Sequence, residues 1–272
     1  MTAVFRRPIK VGDEIVPLHW YGPADANRVL LCVHGWTLDH TSFSGQTALA
    51  SASLAIASYD RRGFGARDCA PSFDADLNDL VAITQQLSAE VVVFGVSQGA
   101  RLALRAMTQQ PNLFAGAILQ GGVVDGVQVP EDARDAIPFG HFKELKEQGL
   151  IAELRQEWLH HPLLSTGVTP QQKDALSTVL ARWGGDDLVQ PGALPSPIDL
   201  TGKLGSITAP VLLLNGAQET HSRQAHAMYL QRHVEAELVK IEGAGHLANW
   251  THAAAANIAI AQWIGCHFLV SE

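Results

Sequence analysis

The chain has 272 residues, of which 47% are hydrophobic and 17% charged, and its formal net charge is −8. This length and apolar content fit one large α/β domain, or one domain carrying an insertion. An acidic chain without a basic run argues against nucleic acid as a partner, and no apolar stretch approaches the length of a membrane span. The N-terminal residues lack the apolar segment of a signal peptide and the three cysteines show no metal or redox spacing, so we expect a cytoplasmic protein.

The first half of the chain alternates strand and helix signals. Continuous apolar runs such as residues 29–33 are typical of strands buried on both faces. Apolar residues at helical spacing predict helices between the later strands. This alternation predicts an α/β fold with a mostly parallel sheet of about eight strands flanked by helices. The predicted strands are residues 15–21, 29–33, 54–59, 90–94 and 115–119, and the predicted helices are residues 74–87 and 100–107.

The alternation stops after about residue 121. Residues 132–183 give only helical signals, and the strand signals return at residues 210–215 and 236–241 before a final helix over residues 252–268. We therefore expect a helical cap inserted after the sixth strand. The strand and helix signals predict an α/β core of residues 1–124 and 201–272, with the cap at residues 125–200. A cap at this point would cover the carboxyl ends of the strands, where such folds bind their ligands.

The most informative motif is Gly95-Val96-Ser97-Gln98-Gly99, which has the form G-x-S-x-G. A β-rich apolar run precedes it and a helical pattern follows it, so the motif predicts a sharp strand-to-helix turn that exposes a nucleophilic serine. Only a small residue fits at Gly95 and Gly99, because strand and helix backbones crowd together there. The amide of Gln98, at the start of the helix, would point at an oxyanion formed on the substrate.

A serine nucleophile needs a base, and the base needs an acid that orients it. His246 follows the last predicted strand in a glycine-rich loop, from which its imidazole could reach Ser97. Glu219 is the acid in the loop after the strand at residues 210–215, and a carboxylate there could fix the tautomer of His246. Asp125, which follows an earlier strand, is the alternative acid. These positions predict catalytic roles for Ser97, His246 and Glu219.

A second oxyanion donor is predicted in the loop Val33-His34-Gly35-Trp36, which follows the strand at residues 29–33. The backbone amide of Trp36 could donate beside that of Gln98. We expect the His34 side chain to tie the loop down by a hydrogen bond, and the Trp36 side chain either to line the pocket or simply to pack.

With these parts in order, the chain resembles the α/β-hydrolase superfamily over nearly its whole length. The serial order Ser97, Glu219, His246 is similar to that family's order of nucleophile, acid and histidine, although most relatives carry aspartate where this chain has Glu219. The resemblance implies a capped serine esterase, lactonase or carbon–carbon bond hydrolase that needs no metal or organic cofactor. A serine at the turn argues against the branches that use aspartate there, the dehalogenases and epoxide hydrolases. In that family, Asp60 and Arg62 would stabilise a turn.

Two interpretations from other classes stay open. A cofactor-free dioxygenase of the quinolone-cleaving kind on the same fold would use the histidine with Asp125. A ligand receptor would keep a slow triad and signal through its cap.

The partner of a hydrolase would be a small molecule, and the chain could be a monomer or a homodimer. Two expectations concern the pocket. Arg101 and Arg105 are expected at the surface, and seven apolar cap residues are expected either to line an apolar pocket or to form the cap's own core: Phe139, Phe142, Trp158, Leu159, Leu163, Leu164 and Trp183.

Overall fold

The computed structural model describes residues 4–130, 132 and 135–268. Within this range eight strands form one sheet, and in chain order they are β1 (Val4–Val11), β2 (Glu14–Tyr21), β3 (Arg28–Val33), β4 (Leu54–Tyr59), β5 (Glu90–Val96), β6 (Gly116–Gln120), β7 (Val211–Gly216) and β8 (Ala236–Ile241). Their spatial order is β1-β2-β4-β3-β5-β6-β7-β8. β2 pairs antiparallel with β1 and with β4, and all other neighbours are parallel.

Helices cover both faces of the sheet. The α-helices are α1 (Phe73–Gln86), α2 (Gln98–Gln109), α3 (Phe139–Glu147), α4 (Ile151–His160), α5 (Pro162–Ser165), α6 (Pro170–Leu180), α7 (His221–His233), α8 (Ala248–Thr251) and α9 (Ala253–Phe268). One apolar core lies between the sheet and α1, α2 and α7. A second core lies between the opposite face and α9, together with the 3-10 helix His40–Leu49. The expected α/β architecture is therefore confirmed.

The predicted strands and helices of the core fall close to the observed ones, because β3, β4, β6 and β7 are buried along their whole length and form unbroken apolar runs. The sequence patterns did not predict β1, which carries Arg6, Arg7, Pro8 and Lys10 and forms an edge of the sheet. Polar residues and proline are tolerated at an edge, and there they remove the strand signal.

The cap helices α3 to α6 lie between β6 and β7, as expected for an insertion after the sixth strand. The amide of Leu200 donates to the carbonyl of Asp125 at 3.0 Å, so the two ends of the inserted segment meet. This contact supports the predicted boundaries at residues 124/125 and 200/201, which we keep as a proposal.

The apolar cap residues form a core of their own that also packs on the α/β core through Trp36, Leu38, Phe64 and Leu247. Of the seven expected to line a pocket or fill the cap, only Phe139 lies outside this core, and it is more than one third exposed. The other six therefore form the core of the cap, which was one of the two expected alternatives: Phe142, Trp158, Leu159, Leu163, Leu164 and Trp183.

Parallel strands place their carboxyl ends at one edge of the sheet. The loops that leave β3, β5, β6, β7 and β8 at that edge carry Trp36, Ser97, Gly121, Glu219 and His246 respectively. In the part of the chain that is described, no helix is long and apolar enough to cross a membrane.

Candidate active site

The turn between β5 and α2 holds Ser97 in a strained conformation. Its φ is 55° and its ψ is −113°, a region that L-residues occupy at a cost of about 1–3 kcal/mol. The Ser97 amide donates to the carbonyl of Gln120 at 2.7 Å, which fixes the turn to the end of β6. Thr37 is the other non-glycine residue with positive φ among those described, and it follows Trp36 directly. Strain is thus concentrated at the predicted nucleophile and beside the predicted oxyanion loop.

Glycine is required at both ends of the motif. A Cβ at Gly95 would lie 2.5 Å from the carbonyl oxygen of Gly99, and one at Gly99 would lie 2.1 Å from the carbonyl oxygen of Val33. Both atoms belong to the backbone, so no side-chain movement could relieve the overlap.

Replacing Gly99 by alanine should therefore lower the free energy of unfolding by about 3 kcal/mol, since an overpacked backbone contact must be relieved by shifting β3 or α2. Gly140 is the matched control, because it lies in α3 and a Cβ added there would have no neighbouring atom within 4 Å. Gly140→Ala should leave the stability unchanged or raise it by up to about 1 kcal/mol. Urea denaturation measures the free energy of unfolding of both variants. Equal midpoints for the two would contradict the proposal that a Cβ at Gly99 overlaps the backbone.

His246 and Glu219 form a buried pair. The Nδ1 atom of His246 lies 2.6 Å from Oε2 of Glu219, and both side chains are almost inaccessible to solvent. The other carboxylate oxygen, Oε1, accepts from the amide of Thr220 at 2.8 Å. Burial alone raises the pKa of the Glu219 carboxyl, but the charge of His246 and the hydrogen bonds from His246 and Thr220 outweigh it, so that the pKa lies below its usual value. The carboxylate can therefore hold the proton on Nδ1 and leave Nε2 free to act as a base.

Gln120, which the sequence patterns did not single out, ties the parts together. Its carbonyl accepts from Ser97, and its side-chain Nε2 donates to the carbonyl of His246 at 2.8 Å. The Gln120 side chain is fully buried. Its Nε2 also donates to Oδ1 of Asn249, and its Oε1 accepts from the backbone amide of Asn249. The sequence signal that could have identified Gln120 was a polar residue at the end of the apolar run of β6.

Among the described residues no hydrogen bond joins the Ser97 hydroxyl to the His246 ring, and such contacts are often long without substrate.

The predicted oxyanion loop runs beside the nucleophile. A Cβ at Gly35 would lie 3.3 Å from the Cβ of Ser97. His34 holds this loop in place, as expected: its Nε2 accepts from the amide of Arg61 at 2.9 Å, so its Nδ1 carries the proton that faces the carbonyl of Gly35 at 2.8 Å. Burial, with the nearby charge of Arg61, lowers the pKa of His34 to about 4, so the ring is neutral at physiological pH.

The Trp36 side chain is held from the cap. Its indole Nε1 donates to the carboxylate of Asp187, which also accepts from the indole of Trp183 at 2.6 Å. Burial raises the pKa of Asp187, although the two indole donors act in the opposite direction. Beside Trp36, the hydroxyl of Thr37 accepts from the indole of Trp158, another cap residue. Hydrogen bonds to cap residues therefore hold both Trp36 and Thr37 in place.

A cavity of about 370 Å³ opens in front of Ser97. Trp36 and Phe139 contribute aromatic surface to its wall, and their rings lie 5.0 Å apart. The expectation of an apolar pocket is only partly met, because two guanidinium groups also line the cavity. The lining residues are Trp36, Ser97, Gln98, Arg101, Val123, Ile137, Phe139, Leu194, Pro195 and Arg223.

The alternative acid, Asp125, is engaged elsewhere. Its carboxylate accepts from Nε of Arg101 at 2.8 Å and from Nε of Arg105 at 2.7 Å. Burial raises the pKa of the Asp125 carboxyl, but the hydrogen bonds and charges of these two arginines outweigh it, so the pKa lies below its usual value. The expectation that Arg105 lies at the surface is wrong, since it is only 2% exposed, and Arg101 faces the cavity instead. Helical spacing alone could not reveal this, because the partner carboxylate comes from a distant loop.

One group of possible metal ligands occurs in the described part of the chain. Ligand atoms of His19, His40 and Asp60 lie within 4.8 Å of one another. Asp60 accepts from the ring of His40 at 2.7 Å and from the amides of His40 and Ala66, and the two imidazoles stack 3.5 Å apart. Asp60 thus closes the turn that follows β4, while Arg62 pairs with Asp79 and Glu14. The resemblance implied such a stabilising role for both residues.

Comparisons with known proteins place the chain in a family. Solved structures with the same fold include a bromoperoxidase from Bacillus anthracis (TM-score 0.78, 21% identity, covering 96% of this chain and 99% of that one). They also include an esterase, EaEST, from Exiguobacterium antarcticum (0.79, 17%, 96% and 99%) and MenH from S. aureus (0.74, 17%, 92% and 98%). No curated protein matches the sequence. The sequence model described as "Alpha/beta hydrolase family" matches residues 30–259, so the chain belongs to the α/β-hydrolase family.

Proposed function

We propose that this protein is a serine hydrolase that cleaves a small or medium-sized ester, a lactone or an activated carbon–carbon bond. The observation that carries the proposal is the 2.6 Å contact between His246 Nδ1 and the buried Glu219 carboxylate, at the same sheet edge as the strained Ser97. Acyl transfer requires an acid that orients a histidine and a serine that opens onto a cavity, and here the same sheet edge carries both. Esterases among the solved structures of the same fold agree with this class of reaction.

The proposed reaction has two steps. His246 Nε2 takes the proton of the Ser97 hydroxyl as Oγ attacks the substrate carbonyl, and the amides of Trp36 and Gln98 donate to the oxyanion. The amide of Gln98 suits this role because the first residues of a helix have no acceptor within the helix. His246 then gives its proton to the leaving group as the bond to the acyl carbon breaks. Water, activated by the same histidine, finally releases the acid from Ser97.

The dioxygenase interpretation receives less support from the contacts. It requires Asp125 to act with the histidine, but the Asp125 carboxylate is bonded to two guanidinium groups, and Glu219 holds the imidazole. We therefore propose Glu219 as the acid. A small-molecule substrate, a cytoplasmic location, and a monomeric or homodimeric state complete the proposal.

A fluorophosphonate probe tests the function directly. We expect one equivalent of probe to add to the wild-type chain, with the modified peptide containing Ser97, and p-nitrophenyl esters to be hydrolysed. Ser97→Ala should lose both the label and the hydrolysis, whereas Ser44→Ala, an exposed serine in the 3-10 helix that begins at His40, should keep both. Without labelling or hydrolysis the hydrolase proposal would be wrong, and oxygen consumption with a hydroxyquinolone would then test the dioxygenase.

A further inference from the structure

The cavity in front of Ser97 has two chemically different kinds of lining residue. Trp36, Ile137, Phe139 and Leu194 are apolar or aromatic, whereas Arg101 and Arg223 are cationic. Because Asp125 accepts from Nε and Nη2 of Arg101, a substrate anion would accept from the third nitrogen of that guanidinium, Nη1. The lining therefore favours a substrate that is apolar in part and negatively charged in part.

Arg101 is placed by the same turn that places the nucleophile. It lies four residues after Ser97, and its amide donates to the carbonyl of Ser97 at 3.1 Å. Four residues of helix rise by about 6 Å and both residues line the cavity, so the Arg101 side chain starts about one helical turn from the hydroxyl. The Arg101 side chain is 23% exposed even though it bonds to Asp125. A group a few bonds from the scissile carbonyl could therefore reach it.

Three arginines lie at or near this cavity. Asp125 is one buried carboxylate shared by Arg101 and Arg105, and Arg105 also lies 4.0 Å from Asp74, which is largely exposed. Arg223 adds a further cation from the first turn of α7. Burial is the main cause that lowers the pKa of the neighbouring His226 to about 4, and the charges of Arg223 and Arg101 lower it as well. The fields of both arginines therefore reach the same neighbouring side chain, which agrees with their position along one cavity.

We propose that the substrate of this site carries a carboxylate, which Arg101 and Arg223 bind while the scissile carbonyl faces Ser97. The inference rests on the proposed hydrolase function and specifies its substrate class: the ester, lactone or carbon–carbon substrate is an anionic acyl compound whose carboxylate lies a few carbons from the reacting carbonyl. Guanidinium is the group best suited to bind a carboxylate, because its paired donors match the two oxygens. The apolar and aromatic lining residues contact the uncharged part.

Two esters with the same leaving group test this inference. We would measure kcat/KM for neutral p-nitrophenyl butyrate and for the anionic mono-p-nitrophenyl ester of glutaric acid, and take the anionic-to-neutral ratio. The wild-type ratio should exceed about ten, because hydrogen bonds to charged groups are worth about 1.5–3 kcal/mol. Arg101→Gln and Arg223→Gln should each lower the ratio by about ten- to a hundredfold, and Arg101→Lys should lower it less.

Arg232→Gln is the matched control, since Arg232 lies exposed in the last turn of the same helix as Arg223 and does not line the cavity. It should leave the ratio unchanged. Arg223→Gln also keeps the Arg101–Asp125 pair, so it tests the subsite even if Arg101→Gln fails to fold. Stoichiometric fluorophosphonate labelling shows that each variant retains its site.

A ratio near one in the wild type, or one that neither arginine variant changes, would overturn the carboxylate subsite while labelling at Ser97 left the hydrolase function standing. Loss of labelling in the wild type would overturn both. A fall in the ratio equal to that of Arg232→Gln would also contradict the proposal, since it would reflect only the net charge of the protein.

Discussion

Replacing His246 by alanine is expected to lower kcat for a p-nitrophenyl ester by about 10⁴- to 10⁶-fold. Without the imidazole, Glu219 could not take over as the base, because its carboxylate bonds to the Nδ1 side of the ring, away from the atom that would face Ser97. Residues of such a triad act as a unit, so the double variant Ser97→Ala/His246→Ala should lose no more activity than either single variant.

The stability of the His246 variant needs a separate measurement, because removing the ring leaves the buried carboxylate of Glu219 without its main partner. His246→Gln can keep a donor to that carboxylate but cannot act as a base. We therefore expect His246→Gln to be more stable than His246→Ala in thermal denaturation and equally inactive. His233→Ala, at an exposed position near the end of α7, is the control and should keep full activity. Substantial turnover by His246→Gln would show that another residue is the base.

Much of the fold could be predicted from the sequence because its signals are local. The buried parallel strands are unbroken apolar runs, and the turn at Ser97 has glycines where added Cβ atoms would overlap the backbone. The helical insertion was evident because strand signals are missing between β6 and β7. Polar β1 gave no comparable signal, since an edge strand does not need an apolar pattern.

The polar contacts of the site were less predictable because their partners are distant in sequence. Gln120 joins the serine turn to the histidine loop across 126 positions, and Asp187 reaches Trp36 across 151. The pairing of Asp125 with Arg101 and Arg105 depends on how the loop after β6 folds back over α2. No periodicity encodes such a contact. The same distance hid the two arginines that line the cavity, since Arg101 and Arg223 come from helices more than a hundred residues apart.

The two candidate acids can be separated by the same chemical change at both positions. Glu219→Gln should lower kcat by about 10²- to 10⁴-fold, because an amide can present its nitrogen to His246 and favour the wrong tautomer. Asp125→Asn should lower kcat for a neutral ester by less than about tenfold, since its carboxylate contacts Arg101 and Arg105 rather than the imidazole.

In stability the order of the two variants should be reversed, with Asp125→Asn the less stable of the two. Asp125→Asn leaves the buried guanidinium of Arg105 without its buried charged partner and should cost about 3–5 kcal/mol in chemical denaturation, as expected for a broken buried ion pair. Glu219→Gln should cost less, because an imidazole can exist without charge whereas a guanidinium cannot. If instead Asp125→Asn abolishes turnover while remaining stable, and Glu219→Gln stays active, then Asp125 is the functional acid and the contact between His246 and Glu219 only holds the loop after β8 in place.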